Sequence, residues 1–410
     1  MMVDIDLAPE LPELRPEIQQ ILDAIDEAFP LLQSEAEAGE RLRRPTPAVQ
    51  NALKETGIFK LSVPTSLGGF EATPLELLRV IEKISHADAS LGWLARVLTG
   101  ETGVAATFLS RENAEKLFNG ADWPRVAGQS TSFHGTAVKV DGGYQVTGSW
   151  PFMAGTSMAT HVNMGVTVEG TGEKIVCLVP RSELFMSDNW DMLGLLATSS
   201  LDYEAKDLFV PEKFAYTVEG SDGGRRGMTG KLSPTLVDSL KQAAWSQGVG
   251  RRMLDELKQL ASAAANREHY SRGDSAVSSD EFFYEFARHY SHVRGTLALL
   301  TETWSGYEQT LKADEEPTQQ QETMARLATN LATRTALEIS QIAHRFAGFQ
   351  VMRHSALQRF FRDSHAGTQH RGSRLAVTAE CGRMLAGVVP EGSTWGFYEL
   401  EIPGRTSTNH

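Results

Sequence analysis

Residues 142–162 read GGYQVTGSWPFMAGTSMATHV, and the fold turns on this stretch. Gly142 and Gly143 follow Asp141, and an Asp-Gly pair supplies the positive-φ positions of a tight hairpin turn. One arm of the hairpin is the β-rich run 136–140; the other starts at 144–148 and continues through Trp150 and Phe152 to an Ala-Gly-Thr-Ser turn. Beyond it, 162–168, 174–179 and 201–210 repeat the texture, each run bounded by turn residues. Short strands at this spacing predict a small sandwich or barrel in the middle of the chain.

The flanks are helical. Before the β region, 14–119 has a helical pattern with punctuation at Pro45, Pro47, Pro64 and Gly68-Gly69, and Thr73-Pro74 has the form of an N-cap followed by a first-turn proline. After it comes a glycine-rich connector, 219–230, expected to be a surface loop. Phe282, Phe286, Tyr290, Val293, Leu297 and Leu300 then share one helix face, as do Met324, Leu327, Leu331, Thr335, Ile339, Ile342 and Phe346 on the next helix. With 235–266 before them and 374–385 behind, four helices can form an antiparallel bundle. The resulting division is a helical N-terminal domain over 1–124, a β domain over 125–220 and a helical bundle over 221–410.

Composition excludes several function classes. Lys plus Arg is 39 and Asp plus Glu 52, so the net charge is 39 − 52 = −13, which disfavours a nucleic-acid partner. Two cysteines, Cys177 and Cys381, make no disulfide framework. The acidic, proline-broken start is unlike a signal peptide, and no apolar run nears the ~18 residues of a membrane span. The expectation is a cytoplasmic protein. No P-loop, HExxH, GxSxG or CxxC occurs, and neither Gly170-Thr171-Gly172 nor Gly248-Val249-Gly250 completes a dinucleotide-binding turn. His354, His365 and His370 lack carboxylate or thiolate neighbours at ligand spacing, so no metal site is expected.

Four phrases, in order, resemble the acyl-CoA dehydrogenase fold: 63–85 (VPTSLGGFEATPLELLRVIEKIS), 142–162, 193–213 (LGLLATSSLDYEAKDLFVPEK) and 360–370 (FFRDSHAGTQH). The resemblance implies an N-terminal helical domain, a central β domain and a C-terminal four-helix bundle. Two branches share that fold, acyl-CoA dehydrogenases and the oxygenase components of two-component flavin monooxygenases. The dehydrogenases carry a carboxylate base after the Arg-Asp pair. Here 370–374 reads His-Arg-Gly-Ser-Arg, with no carboxylate, while Glu338 and Glu380 are expected away from the site. The monooxygenases have a histidine at that place, and His370 matches it. A flavin C4a-hydroperoxide needs a dry pocket and one proton donor, and an imidazole suits both demands.

The resemblance implies further roles. Trp150, Phe152, Gly155, Thr156, Ser157, Thr198 and Ser200 match flavin-contacting positions, although Ala154 stands where a serine is usual. Arg267 matches an arginine that reaches cofactor phosphates, and Gly348 a contact to the neighbouring subunit's cofactor. A substrate-holding histidine is missing between His86 and His134; Trp93 and Glu101 stand there, and a carboxylate accepting an N–H favours an indole-type heteroaromatic over a phenol. The implied system is reduced flavin (FADH2 or FMNH2) delivered by a separate NAD(P)H-dependent flavin reductase, dioxygen as co-substrate, a small aromatic substrate and a homotetramer. The alternatives are an acyl-CoA dehydrogenase with a displaced base and a non-catalytic flavin-binding module.

Overall fold

The computed structural model describes residues 13–120, 123–218, 227–266, 275–396 and 398–403. Five helices come first: α1 (Pro16–Leu42), α2 (Pro47–Glu55), α3 (Pro74–Ala87), α4 (Ala89–Phe108) and α5 (Arg111–Phe118). Thr73 caps α3 in a full capping box with Glu76, so the sequence signal and the structure agree at that helix start. Asp88 turns the chain between α3 and α4, taking an extended backbone and accepting the Leu91 N–H at 2.9 Å. Fifteen residues of α4 are buried, so this helix runs through the middle of the molecule.

The β region holds β1 (Val126–Gln129), β2 (Gly135–Val140), β3 (Gly143–Met153), β4 (His161–Val168), β5 (Lys174–Pro180), β6 (Phe185–Met186), β7 (Leu201–Pro211) and β8 (Ala215–Tyr216). The hairpin forms as expected, with Val140 paired to Gly143 and Gly142 at φ 74°. These eight strands make one mixed sheet in the order β6-β7-β3-β2-β4-β5-β8, with β1 also paired to β4. Among the described residues no pairing joins β6 to β8, so hydrogen bonds do not close the sheet into a full barrel. Spacing counts strands but does not say whether the last closes on the first.

Behind the sheet come α6 (Pro234–Ala265), α7 (Asp280–Lys312), α8 (Gln319–Phe346), α9 (Ala356–Gly367) and α10 (Leu375–Leu385), then a short pair of strands, β9 (Thr394–Trp395) and β10 (Leu400–Glu401). The sequence reading assigns no helix to the residues of α9. Ser355 caps it through the Gln358 N–H, and it packs on α6 and α8, a place the sequence reading left to α10. The apolar face expected on α7 is buried at Phe282, Val293, Leu297 and Leu300. On α8 the first half differs: Leu331 is exposed, while Thr323, Ala325, Ala328, Thr329 and Ala332 face inward. Small residues let α8 approach α6 closely, so bulk alone misjudged the buried face.

Candidate active site

A cavity of about 800 Å³ opens where the sheet meets α4, α6 and the segment after α9. Trp93, Val97, Phe108, Phe152, Trp190 and Leu232 give it apolar walls. Its polar wall centres on Asp238 of α6. Arg96 Nη2 donates to Asp238 Oδ1 at 2.6 Å, the Tyr398 hydroxyl donates to Oδ2 at 2.9 Å, and His370 Nε2 lies 3.0 Å from Oδ2. The other arm of Arg96 bonds the side-chain oxygen of Gln242. Burial works to raise the Asp238 carboxyl, but Arg96 and His370 together outweigh it and hold it well below the usual carboxylate range. Asp238 is therefore an anion that orients its three partners.

His370 follows α9, where the chain enters a short 3-10 turn. Its Nδ1 accepts the Gly372 N–H at 3.2 Å, which assigns the ring proton to Nε2, facing Asp238. Burial lowers the His370 pKa; Asp238 opposes this and Arg96 adds to it. The ring is thus a neutral N–H donor at neutral pH, edge-on to Trp93 and to Tyr398 with centroids 6.1 and 6.0 Å away.

The Arg-Asp pair of α9 works at a distance from this ring. Arg362 Nη2 contacts both oxygens of Glu40 at 2.7 and 2.9 Å, and its Nη1 bonds the Leu193 carbonyl at 3.3 Å. Asp363 Oδ1 accepts the Leu195 N–H at 2.5 Å. Burial above all, then nearby Asp88, push the Asp363 pKa up to about 8. Together the pair pins the turn over residues 193–200.

That turn is laced to the one after β3. The Gly155 N–H, at φ 87°, donates to the Thr198 carbonyl at 2.9 Å, the Thr156 hydroxyl donates to the Ser199 carbonyl at 2.6 Å, and the Ser157 N–H donates to Ser199 Oγ at 3.1 Å. Thr198 Oγ1 bonds the Leu195 carbonyl and Ser200 Oγ, each at 2.7 Å. Of the residues singled out in the sequence, the cavity is lined by His370, Phe152, Ser200, Trp93 and Glu101, with Ala154 beside them. Gly155, Thr156, Ser157 and Thr198 lie behind, building the two turns. Ser157 Oγ is buried with no partner among the described residues.

Two assignments change. Trp150 does not line the cavity: its fully buried indole stacks on Tyr203 at 5.0 Å and donates to the Gly165 carbonyl at 3.0 Å. Gly135 and Gly148 clear the space for it, since a Cβ at either would lie 2.3 and 2.8 Å from its ring. Its neighbour Phe152 turns the other way, because β3 slips register against β7 between Trp150 and Met153. Phe152 takes φ 60° there, with its N–H on Asp202 Oδ1 at 2.9 Å. Glu101 is not a free acceptor: Oε1 receives the Ser130 hydroxyl at 3.0 Å, and Oε2 the Asn163 amide at 2.8 Å. Gly348 opens a surface turn away from the cavity, at φ 56°. Arg267 lies outside the described residues. His365, left undecided by the sequence, does line the cavity, its ring tilted against Phe361 at 4.5 Å.

Sequence reasoning missed Asp238, Lys241, Tyr398 and Ser199. The signal for the first two was present: an acid and a base three residues apart, inside the otherwise uncharged 234–245. Away from His354, His365 and His370, the side chains of His289, His292 and Glu338 come together on α7 and α8.

Comparison with known proteins follows the same lines. The family model for the acyl-CoA dehydrogenase N-terminal domain matches residues 17–117, and that for the C-terminal domain matches 240–374. The indole-3-acetate monooxygenase of Pseudomonas putida is 26% identical over 376 residues, 86% of this chain and 90% of that protein. The oxygenase subunit HsaA of a flavin-dependent monooxygenase from Rhodococcus jostii is 24% identical over 368 residues, 85% and 93%. Among solved structures, the 3-HSA hydroxylase from Rhodococcus sp. RHA1 superposes with a TM-score of 0.81 at 24% identity, covering 90% of this chain and 97% of that one. XiaF from Streptomyces sp., in complex with FADH2 and glycerol, superposes at 0.80 with 20% identity, covering 92% and 98%. TdsC from Paenibacillus sp. A11-2, with FMN and indole, superposes at 0.77 with 19% identity, covering 93% and 100%.

Proposed function

Because the chain belongs to the acyl-CoA dehydrogenase family, in its branch of flavin-dependent monooxygenase oxygenase components, we propose that its cavity binds reduced flavin and a small aromatic substrate and hydroxylates the substrate with dioxygen. The observation that carries this reading is the neutral, half-buried His370, its Nε2 proton facing Asp238 and its Nδ1 accepting from Gly372, inside a largely apolar cavity. A positioned donor in a dry site is what such chemistry requires of the protein.

Reduced flavin supplies the activation of dioxygen; this chain's residues supply the place. Phe152, Ser200 and the Ala154 backbone border the cavity, and the unpartnered Ser157 Oγ behind them is a hydroxyl that a bound heterocycle could satisfy. We keep Arg267 and Gly348 as contacts to cofactor phosphates and to the neighbouring subunit's cofactor. His370 turns the Nε2 proton it holds on Asp238 toward an oxygen at the reacting centre, Asp238 and the Gly372 N–H fix its tautomer, and Trp93 forms part of the substrate wall. FADH2 and FMNH2 both suit the reading, since XiaF is recorded with FADH2 and TdsC with FMN. The supplier is an NAD(P)H-dependent flavin reductase, and the setting the cytoplasm. No helix among the described residues is long and apolar enough to cross a membrane.

An acyl-CoA dehydrogenase reading is disfavoured by the cavity's carboxylates. Arg96 holds Asp238 well below the usual carboxylate range, which makes it a poor base, and Glu101 has both oxygens bonded to Ser130 and Asn163, so neither is suited to abstract an α-proton. The bound state of Glu101 also removes the specific argument for an indole N–H, and leaves the substrate as a small aromatic. A homotetramer is supported by apolar side chains left exposed on the bundle, among them Phe349, Met352, Leu375 and Val388.

The test is turnover with a generic flavin reductase, NADH and 18O2, using indole-3-acetate and 4-hydroxyphenylacetate. A product carrying one labelled oxygen supports the reading. Reduced-flavin oxidation that gives only hydrogen peroxide with every aromatic offered, together with acyl-CoA desaturation, contradicts it.

A further inference from the structure

Lys241 is 5% exposed and lines the cavity from α6. Its Nζ donates to the Arg96 carbonyl at 2.9 Å. An ammonium has three donors, and among the described residues no second hydrogen-bond acceptor and no carboxylate at ion-pair distance meets this one. The two carboxylates nearby are engaged elsewhere. Asp238, one helical turn back, holds Arg96, His370 and Tyr398, and Glu101 faces Ser130 and Asn163. A buried cation with unused donors is costly unless something completes its shell.

The surroundings keep that shell open toward the cavity. Gly100, on the facing turn of α4, also lines the cavity, and a Cβ there would lie 1.8 Å from Lys241 Nζ. The glycine leaves the ammonium its room. Val97, Val104 and Phe108 continue the same face of α4 as an apolar wall beside the charge. An aromatic ring against that wall, with an anionic substituent on Nζ, would satisfy both features. Burial lowers the Lys241 pKa to about 8; Asp238 and Glu101 oppose this and Arg96 adds to it, so the group remains mostly protonated at neutral pH.

We propose that Lys241 is an anion subsite of the cavity, and that the aromatic substrate carries an anionic oxygen, a carboxylate or a phenolate, which accepts hydrogen bonds from Nζ. This rests on reading the cavity as the substrate site, and it goes beyond that reading by naming the substrate's charge. It also places the charge-recognising group on the bundle, where the N-terminal segment offers no histidine.

Calorimetric titration of the full chain without flavin tests it, so that binding and oxygenation are judged separately. Indole-3-acetate is compared with indole for the carboxylate, and 4-nitrophenolate with nitrobenzene for the phenolate. The wild type binds at least one anionic probe more tightly than its neutral counterpart, and which pair discriminates identifies the oxygen. Lys241→Met abolishes the preference, weakening the anionic probe about ten- to a hundredfold, while Lys241→Arg retains part of it. Gly100→Ala, which displaces Nζ without removing the charge, weakens the same probe and serves if the methionine variant does not fold. No preference in the wild type, or a preference that survives both Lys241→Met and Gly100→Ala, overturns the proposal. Failure of the 18O2 experiment with this binding intact would count against the oxygenase reading alone.

Discussion

His370 Nε2 stands 3.0 Å from Asp238 Oδ2, while the same carboxylate holds Arg96 Nη2 at 2.6 Å through its other oxygen. The histidine and the arginine thus share one anion, and neither can be altered without moving the other. The Gly372 N–H on Nδ1 closes the arrangement from the far side of the ring. This geometry makes the imidazole a donor of fixed direction.

Asp238→Asn tests that arrangement. The amide can present N–H where the carboxylate accepted one, which reverses the polarity facing Nε2 and leaves Arg96 without its anion. The expected result is a fall in hydroxylation of about a hundredfold, with more hydrogen peroxide formed per flavin oxidised. Product and peroxide measured in the same reaction check it, and an unchanged ratio would show that Asp238 does not orient the donor.

The acid limb of activity follows from the lowered His370 pKa. Asp238, Arg96, Arg371 and Tyr398 face the ring, and burial is the largest influence on it. Activity is expected to hold down to a pH below the ordinary histidine value of ~6.5 and then to fall as the ring takes its second proton. Linkage gives the stability effect the same direction. The unfolded chain protonates first, so the contribution of His370 is present above ~6.5 and is lost as the pH falls through the lower folded value. Profiles of turnover and of Tm for wild type and His370→Gln would show it, the glutamine variant lacking the step.

Asp363 has the opposite sign. Its pKa, raised to about 8, means that its contribution to stability is full below the ordinary carboxylate range and is lost as the pH rises through that value. Asp363→Asn keeps an acceptor for the Leu195 N–H and removes the ionisation. Its Tm relative to wild type should therefore improve as the pH is raised toward about 9. A gap that stays constant across that range would contradict the assignment.

The central strand was legible in the sequence because turn chemistry and alternation are local signals. The Asp-Gly hairpin, the Thr73 cap and the helical faces needed no tertiary information. Trp150 and Phe152, two residues apart, could not be separated in this way. Alternation puts them on one face, and only the register slip between β3 and β7 sends one into the core and the other to the cavity. Glu101 failed for a related reason: its partners, Ser130 just after β1 and Asn163 on the neighbouring β4, lie 29 and 62 residues away in the chain. Asp238 and Tyr398 meet across 160 residues, a contact that no periodicity encodes.

Trp150→Phe should act on stability alone. It removes the donor to the Gly165 carbonyl and leaves a gap beside Tyr203, at a cost of about 1–3 kcal/mol. Thermal unfolding checks the cost. Reduced-flavin affinity is expected to stay near the wild-type value, and a large loss of that affinity in a folded variant would return Trp150 to the cofactor site.

Glu40 reaches the cavity only through Arg362, which ties α1 to the Leu193 carbonyl. Glu40→Gln should loosen the turn over 193–200 and raise the KM for reduced flavin several-fold, at about 1–3 kcal/mol of stability. A change in kcat with no change in that KM would place the effect elsewhere.

The most direct test of His370 as the donor in an oxygen-activating flavin site is stopped-flow spectroscopy. The protein is mixed anaerobically with reduced flavin and then with oxygenated buffer, for wild type and His370→Ala. The account predicts a transient species between reduced and oxidised flavin that is long-lived in the wild type and short-lived in the variant. Direct return to oxidised flavin in the wild type, or identical transients in both proteins, would contradict it.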